Sequence, residues 1–285
     1  MPETEQVLPD GTRLTRAALR VNDFRGVGEF YVDVVGLEVL DRTDRWATLG
    51  SAGVPLLELR KDEEAPPRGQ EEAGLFHVAF RVPTREALGD AIRRVRTLWE
   101  LEGASDHDVS EAIYLQDPEG NGIEIYHDRP RAEWPIDDDG YVLMDTHPLD
   151  VDALETDGEW QRSVPPGTDI GHVHFEVTSL AAAREFYVEQ LGLGVRQAFE
   201  GVGLFLATND YHHHVALNTW NGRSEPVRGR GVEWVEFVVP SSAAIESLRT
   251  RLETAGVEVR PSDAGIEIRD SDGIGVRVRA EPGSE

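Results

Sequence analysis

The chain contains no cysteine. That removes disulfides, thiolate metal ligands and a cysteine nucleophile from the chemistry open to it. Lysine is nearly as scarce. Of 28 basic residues only Lys61 is a lysine, and the rest are arginine. No apolar run approaches the roughly 20 residues that a membrane helix needs. The first residues, Met-Pro-Glu-Thr-Glu-Gln, are acidic and lack a signal-peptide pattern. A soluble cytoplasmic protein with no membrane partner is therefore expected. Acidic residues number 54, which gives a net charge of -26 at pH 7. They are dispersed along the chain, with no acidic tail. A nucleic-acid partner is not expected, because phosphate binding needs basic patches. Dispersed acidity with almost no lysine reads as adaptation to high salt, where counterions screen self-repulsion. At 285 residues the chain can bury one large core or two moderate ones.

A fourfold internal repeat organises the sequence. Four segments share an extended apolar start followed by an amphipathic helix: Leu14 to Val21, Leu75 to Val82, Ile170 to Val177 and Val232 to Val239. Anchored on their last valines, the first and third match in detail. Phe30-Tyr31 and Phe186-Tyr187 fall nine residues after the anchor, and Gly36-Leu37 and Gly192-Leu193 fifteen after it. In the second and fourth, Pro83 and Pro240 follow the anchor directly, and Asp117-Pro-Glu-Gly is echoed by Asp270-Ser-Asp-Gly. The offsets are 156 and 157 residues, so the order is A-B-A-B, a duplicated pair. Each module reads as a strand, a helix and about three strands. Helix starts are marked by Asn22-Asp23, Thr84, Thr178-Ser179 and Ser241-Ser242. The expected class is α+β, with four βαβββ modules in two tandem pairs. Modules one and two fill residues 1–130, a Pro-, Asp- and Gly-rich connection fills 131–167, and modules three and four fill 168–285.

The repeat also aligns chemistry. Five residues before each anchor stand Arg16, His77, His172 and Trp234, and on the last strand of the B modules stand Glu124 and Arg277. Modules two and three thus offer His77, Glu124 and His172, while modules one and four offer side chains that cannot ligate a metal. One metal site and one dead counterpart follow. Two imidazoles and one carboxylate on one face of an ion leave positions open for substrate and O2. For the site to form, module two must pair with three, and one with four. Arg16 and Arg277 read as members of structural ion pairs. His174, two residues from His172 on the same strand face, reads as a lining residue; His127 and His147 lack a supporting pattern.

The most specific stretch runs from His107 through Ile113-Tyr114, Asp117-Pro118 and Gly120 to Glu124, and a second is Tyr211-His212-His213-His214-Val215-Ala216-Leu217. With these, and with all four modules, the chain resembles the vicinal oxygen chelate superfamily of glyoxalases, bleomycin-resistance proteins and extradiol dioxygenases. Within it the chain is most similar to catechol 2,3-dioxygenase-like proteins. The acidity adds the expectation of a haloarchaeal source.

The resemblance implies two barrel-like units and a non-haem Fe(II) extradiol dioxygenase, with Mn(II) as second choice of metal. Its substrates would be a small aromatic diol and O2, and a homo-oligomer is compatible with it. It implies that His77, Glu124 and His172 hold the metal, that His213 is the acid–base group, and that His107 and Tyr114 hydrogen-bond the substrate oxygens. If residues 212–214 lie on a strand, His213 points opposite to His212 and His214; the family register favours His213, with His214 as the alternative. Two other functions stay open: a glyoxalase-like isomerase or lyase, and a metabolite- or drug-binding resistance protein.

Overall fold

A computed structural model describes residues 8–138, 140–262 and 265–283. The acidic Met1–Gln6 segment, read above for signal patterns, lies outside the described residues. Among the described residues no helix is long and apolar enough to cross a membrane.

The four modules are present with one leading strand, one helix and three further strands each. The first holds β1 (Arg13–Val21), α1 (Phe24–Phe30), β2 (Glu38–Arg42), β3 (Trp46–Ser51) and β4 (Val54–Lys61). The second holds β5 (Gly74–Arg81), α2 (Arg85–Leu98), β6 (Gly103–Asp106), β7 (Ser110–Gln116) and β8 (Gly122–Asp128). A connection with the short helix α3 (Val151–Asp157) follows. The third module holds β9 (Asp169–Glu176), α4 (Leu180–Arg184), β10 (Gly194–Phe199), β11 (Gly203–Ala207) and β12 (Val215–Asn218). The fourth holds β13 (Gly231–Val239), α5 (Ser242–Thr254), β14 (Arg260–Ser262), β15 (Gly265–Arg269) and β16 (Gly275–Ala280).

The strands form two curled eight-stranded sheets, giving an α+β fold of duplicated modules in two barrel-like units. One sheet runs β14-β15-β16-β13-β1-β4-β3-β2 and the other β10-β11-β12-β9-β5-β8-β7-β6. Modules one and four therefore share a sheet, and modules two and three share the other, which is the pairing the histidine positions require. By compactness the chain divides into Met1–Ala18, Pro66–Leu75 and His172–Glu285 as one unit, and Leu19–Ala65 and Phe76–Gly171 as the other.

Local sequence explains the helix starts. Asp23, Thr84, Ser179 and Ser241 each accept a hydrogen bond from a backbone N–H three residues on, which satisfies a donor the first turn would leave open. In α2 the buried Leu88, Ala91, Ile92 and Val95 fall at helical spacing and form its inner face. The first and third modules carry a feature their sequences do not announce. Helices α1 and α4 widen into π-helical turns at Tyr31–Val35 and Glu185–Gln190. Both π turns carry the repeated tyrosine, Tyr31 and Tyr187, fully buried.

Those tyrosines reach the turns that begin the last B-module strands. Tyr31 donates to Asp117 at 3.4 Å, and Tyr187 donates to Asp270 at 3.0 Å. In each turn the aspartate Oδ1 accepts two backbone N–H groups, from Glu119 and Asn121 or from Asp272 and Ile274. Gly120 and Gly273 adopt φ of 84° and 87°, the left-handed region that glycine enters without a Cβ penalty. A second carboxylate ties each turn to the helix start of the preceding module. Glu119 accepts from Asn22 N at 2.9 Å, and Asp272 accepts from Thr178 N at 2.9 Å.

Candidate metal centre

Strand β8 reaches its place because Gly122 has no side chain. A Cβ there would lie 1.9 Å from the Phe76 carbonyl oxygen. The close approach pairs β8 with β5 in parallel, Val78 opposite Ile123 and Ala79 opposite Glu124. His77 and Glu124 then face each other, with His77 Nε2 at 3.0 Å from Glu124 Oε2. Both are almost fully buried, at 6% and 3% exposure.

On the antiparallel side Tyr114 of β7 stands directly opposite Glu124. Burial and the neighbouring Glu124 carboxylate hold the Tyr114 phenol well above its ordinary range, so it stays protonated. Its ring lies 5.8 Å from the His77 ring. Its oxygen is 2.6 Å from His107 Nε2. His107 Nδ1 lies 2.9 Å from the Asp145 carbonyl, which can only accept, so Nδ1 carries the proton. The Tyr114 hydroxyl thus has two partners, Glu124 and His107 Nε2. Glu124, Tyr114 and His107 are thus a connected group whose hydrogen bonds can be redirected by one proton.

His172 lies on β9, and its ring is 4.2 Å from the His213 ring. Residues 212–214 precede β12 and are not on a strand, so strand alternation does not govern them. His212 and His213 both come close to His172, the His212 ring at 6.0 Å. Their Nδ1 atoms are 2.8 Å apart, so one donates to the other. His214 accepts from Thr208 N at 3.2 Å and lies against Tyr211. His174, 4% exposed, accepts from Asn218 Nδ2 at 2.9 Å. His127 lies 3.2 Å from the Val82 carbonyl and His147 lies 3.3 Å from Asp108, and neither joins these groups.

One ligand atom from each of His77, Glu124 and His172 lies within 4.8 Å of the others, and all three residues are buried. Metal–nitrogen and metal–oxygen bonds of about 2.0–2.2 Å put two ligands of one ion up to roughly 4 Å apart, so a small side-chain rotation brings the three onto a single ion. The donor set of two imidazoles and one carboxylate, without thiolate, suits a divalent first-row metal ion.

At the repeat-equivalent place in modules one and four the chemistry is ionic. Glu236 is bound by Arg16 at 2.6 Å and Arg279 at 2.9 Å, while Arg277 holds Glu267 at 2.9 Å. The Arg277 guanidinium lies 4.2 Å from the ring centre of Trp234, itself 1% exposed. In parallel register Glu236 stands opposite Arg277, as Ala79 stands opposite Glu124. Two arginines and a tryptophan thus occupy the positions of the candidate ligands.

His212 and Asn218 were not singled out by the sequence patterns. A third consecutive histidine was the only signal for the first, and the second, a buried asparagine after a short strand, gave none.

Comparison with known proteins agrees with this architecture. The family model described as the Glyoxalase/Bleomycin resistance protein/Dioxygenase superfamily matches residues 13–125 and 169–278. A catechol-2,3-dioxygenase of Bacillus subtilis (strain 168) is 34% identical over 262 residues, covering 89% of this chain and 92% of that protein. Biphenyl-2,3-diol 1,2-dioxygenase 3 of Rhodococcus globerulus is 29% identical over 132 residues, covering 41% of this chain and 63% of that protein. Among solved structures, glyoxalase I of Zea mays shares the fold with a TM-score of 0.59 at 16% identity, covering 95% of this chain and 92% of that one. The fold alone therefore does not choose between ring cleavage and isomerisation.

Proposed function

The chain belongs to the glyoxalase/bleomycin resistance/dioxygenase superfamily, and from that premise we propose that it is a non-haem Fe(II) extradiol dioxygenase opening a catechol-like ring with O2. The observation that carries this reading is the buried group of His77, Glu124 and His172. These three would hold Fe(II), with Mn(II) as second choice. Such an ion would supply Lewis acidity toward the diol oxygens and the electron chemistry that O2 requires.

The chain's own residues do the rest. His213, beside His172, takes a proton from a substrate hydroxyl and returns it later, as an imidazole near neutrality can. His212 donates to or accepts from His213 at 2.8 Å and so fixes which ring nitrogen is free. Tyr114 stays protonated and with His107 offers hydrogen bonds to a substrate oxygen. Burial of the three ligands excludes water around them and strengthens each of these interactions.

The second reading is a metal-dependent isomerase or lyase, favoured by the fold shared with glyoxalase I. Such chemistry ordinarily uses a fourth protein ligand. Only three candidate donors cluster among the described residues, and this supports ring cleavage. A resistance protein that merely sequesters a drug has no use for a buried donor set of this kind.

The test is iron content and oxygen uptake. Protein loaded anaerobically with Fe(II) and mixed with catechol, then O2, should consume one O2 per ring and yield a yellow ring-opened semialdehyde. His77→Ala, His172→Ala and Glu124→Ala should each lose both iron and activity, since three ligands leave no redundancy. Full iron occupancy in His77→Ala would remove the proposed site. Iron retained without O2 uptake on any catechol or hydroquinone would hand the case to the isomerase.

A further inference from the structure

The hairpin that carries His107 is strapped by the connection between the two halves of the chain. Strand β6 is an edge of its sheet. Its last residue, Asp106, exchanges both backbone hydrogen bonds with His147, at 3.0 and 2.8 Å, in an antiparallel bridge. Beyond Asp106 the chain turns. His107 N donates to the Ser110 carbonyl at 2.8 Å, and Asp108 takes a φ of 67°, a left-handed conformation uncommon for a residue other than glycine. The turn is braced from within. Asp108 N donates to Asp106 Oδ1 at 3.0 Å, and Arg129 donates to Asp106 Oδ2 at 2.5 Å.

Three consecutive residues of the connection touch this tip. The Asp145 carbonyl accepts from His107 Nδ1 at 2.9 Å, the Thr146 hydroxyl lies 3.4 Å from the same nitrogen, and the His147 ring lies 3.3 Å from the Asp108 carboxylate. Covering an open sheet edge needs only backbone pairing or a charged side chain. A carbonyl aimed at a ring nitrogen does more, because the bond made by one imidazole nitrogen decides the role of the other. With a proton held on Nδ1, Nε2 is the nitrogen that gains or loses one, and Nε2 is the atom 2.6 Å from the Tyr114 oxygen. Bare, it accepts from Tyr114; protonated, it donates to Tyr114 and turns the tyrosine proton onto Glu124. Freed from the carbonyl, the ring could keep its proton on Nε2 and exchange at Nδ1, on the side away from Tyr114.

Resting on the dioxygenase reading, we infer that residues 145–147 position the proton-exchanging nitrogen of His107 against Tyr114. The Asp145 carbonyl fixes the tautomer, and His147 keeps that carbonyl in place through the Asp106 bridge and the Asp108 pair. His147 is a positioning residue: it acts through His107 and Tyr114 and touches no substrate.

The experiment reads the whole chain in two ways. Nitrogen NMR of histidine-labelled protein at alkaline pH, with diamagnetic Zn(II) in place of Fe(II), reports which His107 nitrogen keeps the proton. Turnover of catechol per bound iron reports function. Wild type should keep the proton on Nδ1. His147→Pro, which deletes the N–H of the bridge, should give Nε2–H or a mixture. It should cut kcat by roughly tenfold or more, up to the ~10² lost with one donor to a developing anion, while KM moves less than about threefold. His147→Ala keeps the bridge and loses an exposed pair, so it should cost about two- to fivefold, and His147→Gln, whose amide can donate to Asp108, should recover most of that. In a Tyr114→Phe background His147→Pro should cost nothing more, because the tyrosine it acts through is gone. Catechol turned over by a wild type with its proton on Nε2, or a tautomer and kcat unmoved by His147→Pro, overturns the strap and leaves the dioxygenase reading standing. A His147→Pro loss that adds in full to that of Tyr114→Phe does the same. Should His147→Pro not fold, His147→Ala carries the test, and an unshifted tautomer with unchanged kcat there refutes the strap. If no diol consumes O2 but His147→Pro moves the His107 proton, the strap stands and the dioxygenase reading falls.

Discussion

Replacing Asp270 with asparagine should stabilise the protein, and increasingly so as pH rises. The Asp270 carboxyl is buried, and desolvation, reinforced by Asp272, pushes its pKa from 3.8 up to about 7. Between those two values the folded state holds one more proton at this site than the unfolded state does. Stability is therefore fully present below pH 3.8 and falls by about 1.4 kcal/mol per pH unit until the carboxyl ionises near 7. The accumulated loss is about 4 kcal/mol. Asparagine avoids it without breaking a contact. Its Oδ1 can accept from Asp272 N and Ile274 N as the carboxylate does, and its Nδ2 can donate to the Tyr187 oxygen, now 3.0 Å from Oδ2. The repeat-equivalent Asp117 supplies the control. Its pKa is also raised by burial. Its Oδ2, however, accepts from Asn121 Nδ2 at 2.8 Å, so an amide there sets donor against donor. Urea unfolding from pH 4 to 9 in molar KCl measures both. Asp270→Asn should match wild type near pH 4 and exceed it by up to about 4 kcal/mol above pH 7, while Asp117→Asn should be destabilised by about 1–3 kcal/mol at neutral pH. A stability difference for Asp270→Asn that does not vary with pH would refute the reasoning.

Three further outcomes are expected. His213→Ala should keep its iron and lose ~10²–10⁴-fold in turnover, the usual range for an acid–base group; loss in His214→Ala in its place would move that role by one residue. Tyr114→Phe should keep its iron and lose about 10²-fold in kcat, as expected when one hydrogen-bond donor to a developing anion is removed, and an unchanged kcat would confine Tyr114 to packing. The net charge of -26 should make the thermal midpoint climb between dilute buffer and molar KCl, where the screening length shrinks to ~3 Å, and a midpoint indifferent to salt would dismiss high-salt adaptation.

The modular plan was readable because it repeats. Spacings anchored on Val21, Val82, Val177 and Val239 located every leading strand to within a residue or so, and the short polar stretches named the capping residues. Lone histidines carry little information, but His77 and His172 stood at equivalent positions, and the sheet order places their modules together. Arg16 and Arg277 fell where ion pairs were expected, since each has a carboxylate partner. The π turns were not legible, because a widened helix keeps the same apolar spacing over one turn. The condition that residues 212–214 lie on a strand is not met. Their apolar continuation, Val215-Ala216-Leu217, is strand, but the turn from residues 211 to 214 lets consecutive side chains approach one residue, which period-two alternation forbids.

The ion-paired counterpart in modules one and four bears on the history of the duplication. Suppose it once resembled its twin. Restoring a ligand set would require Arg16→His, Trp234→His and Arg277→Glu together. Taken singly, Arg277→Glu would place a second carboxylate against Glu267, and Arg16→His would leave Glu236 with one guanidinium in place of two. Each intermediate weakens the pairing of a largely buried carboxylate, and Arg16 and Arg277 both lie over Trp234, so the effects are not additive. The asymmetry between the two copies behaves as a ratchet: once the guanidiniums settled beside their glutamates, drift could no longer walk back one substitution at a time.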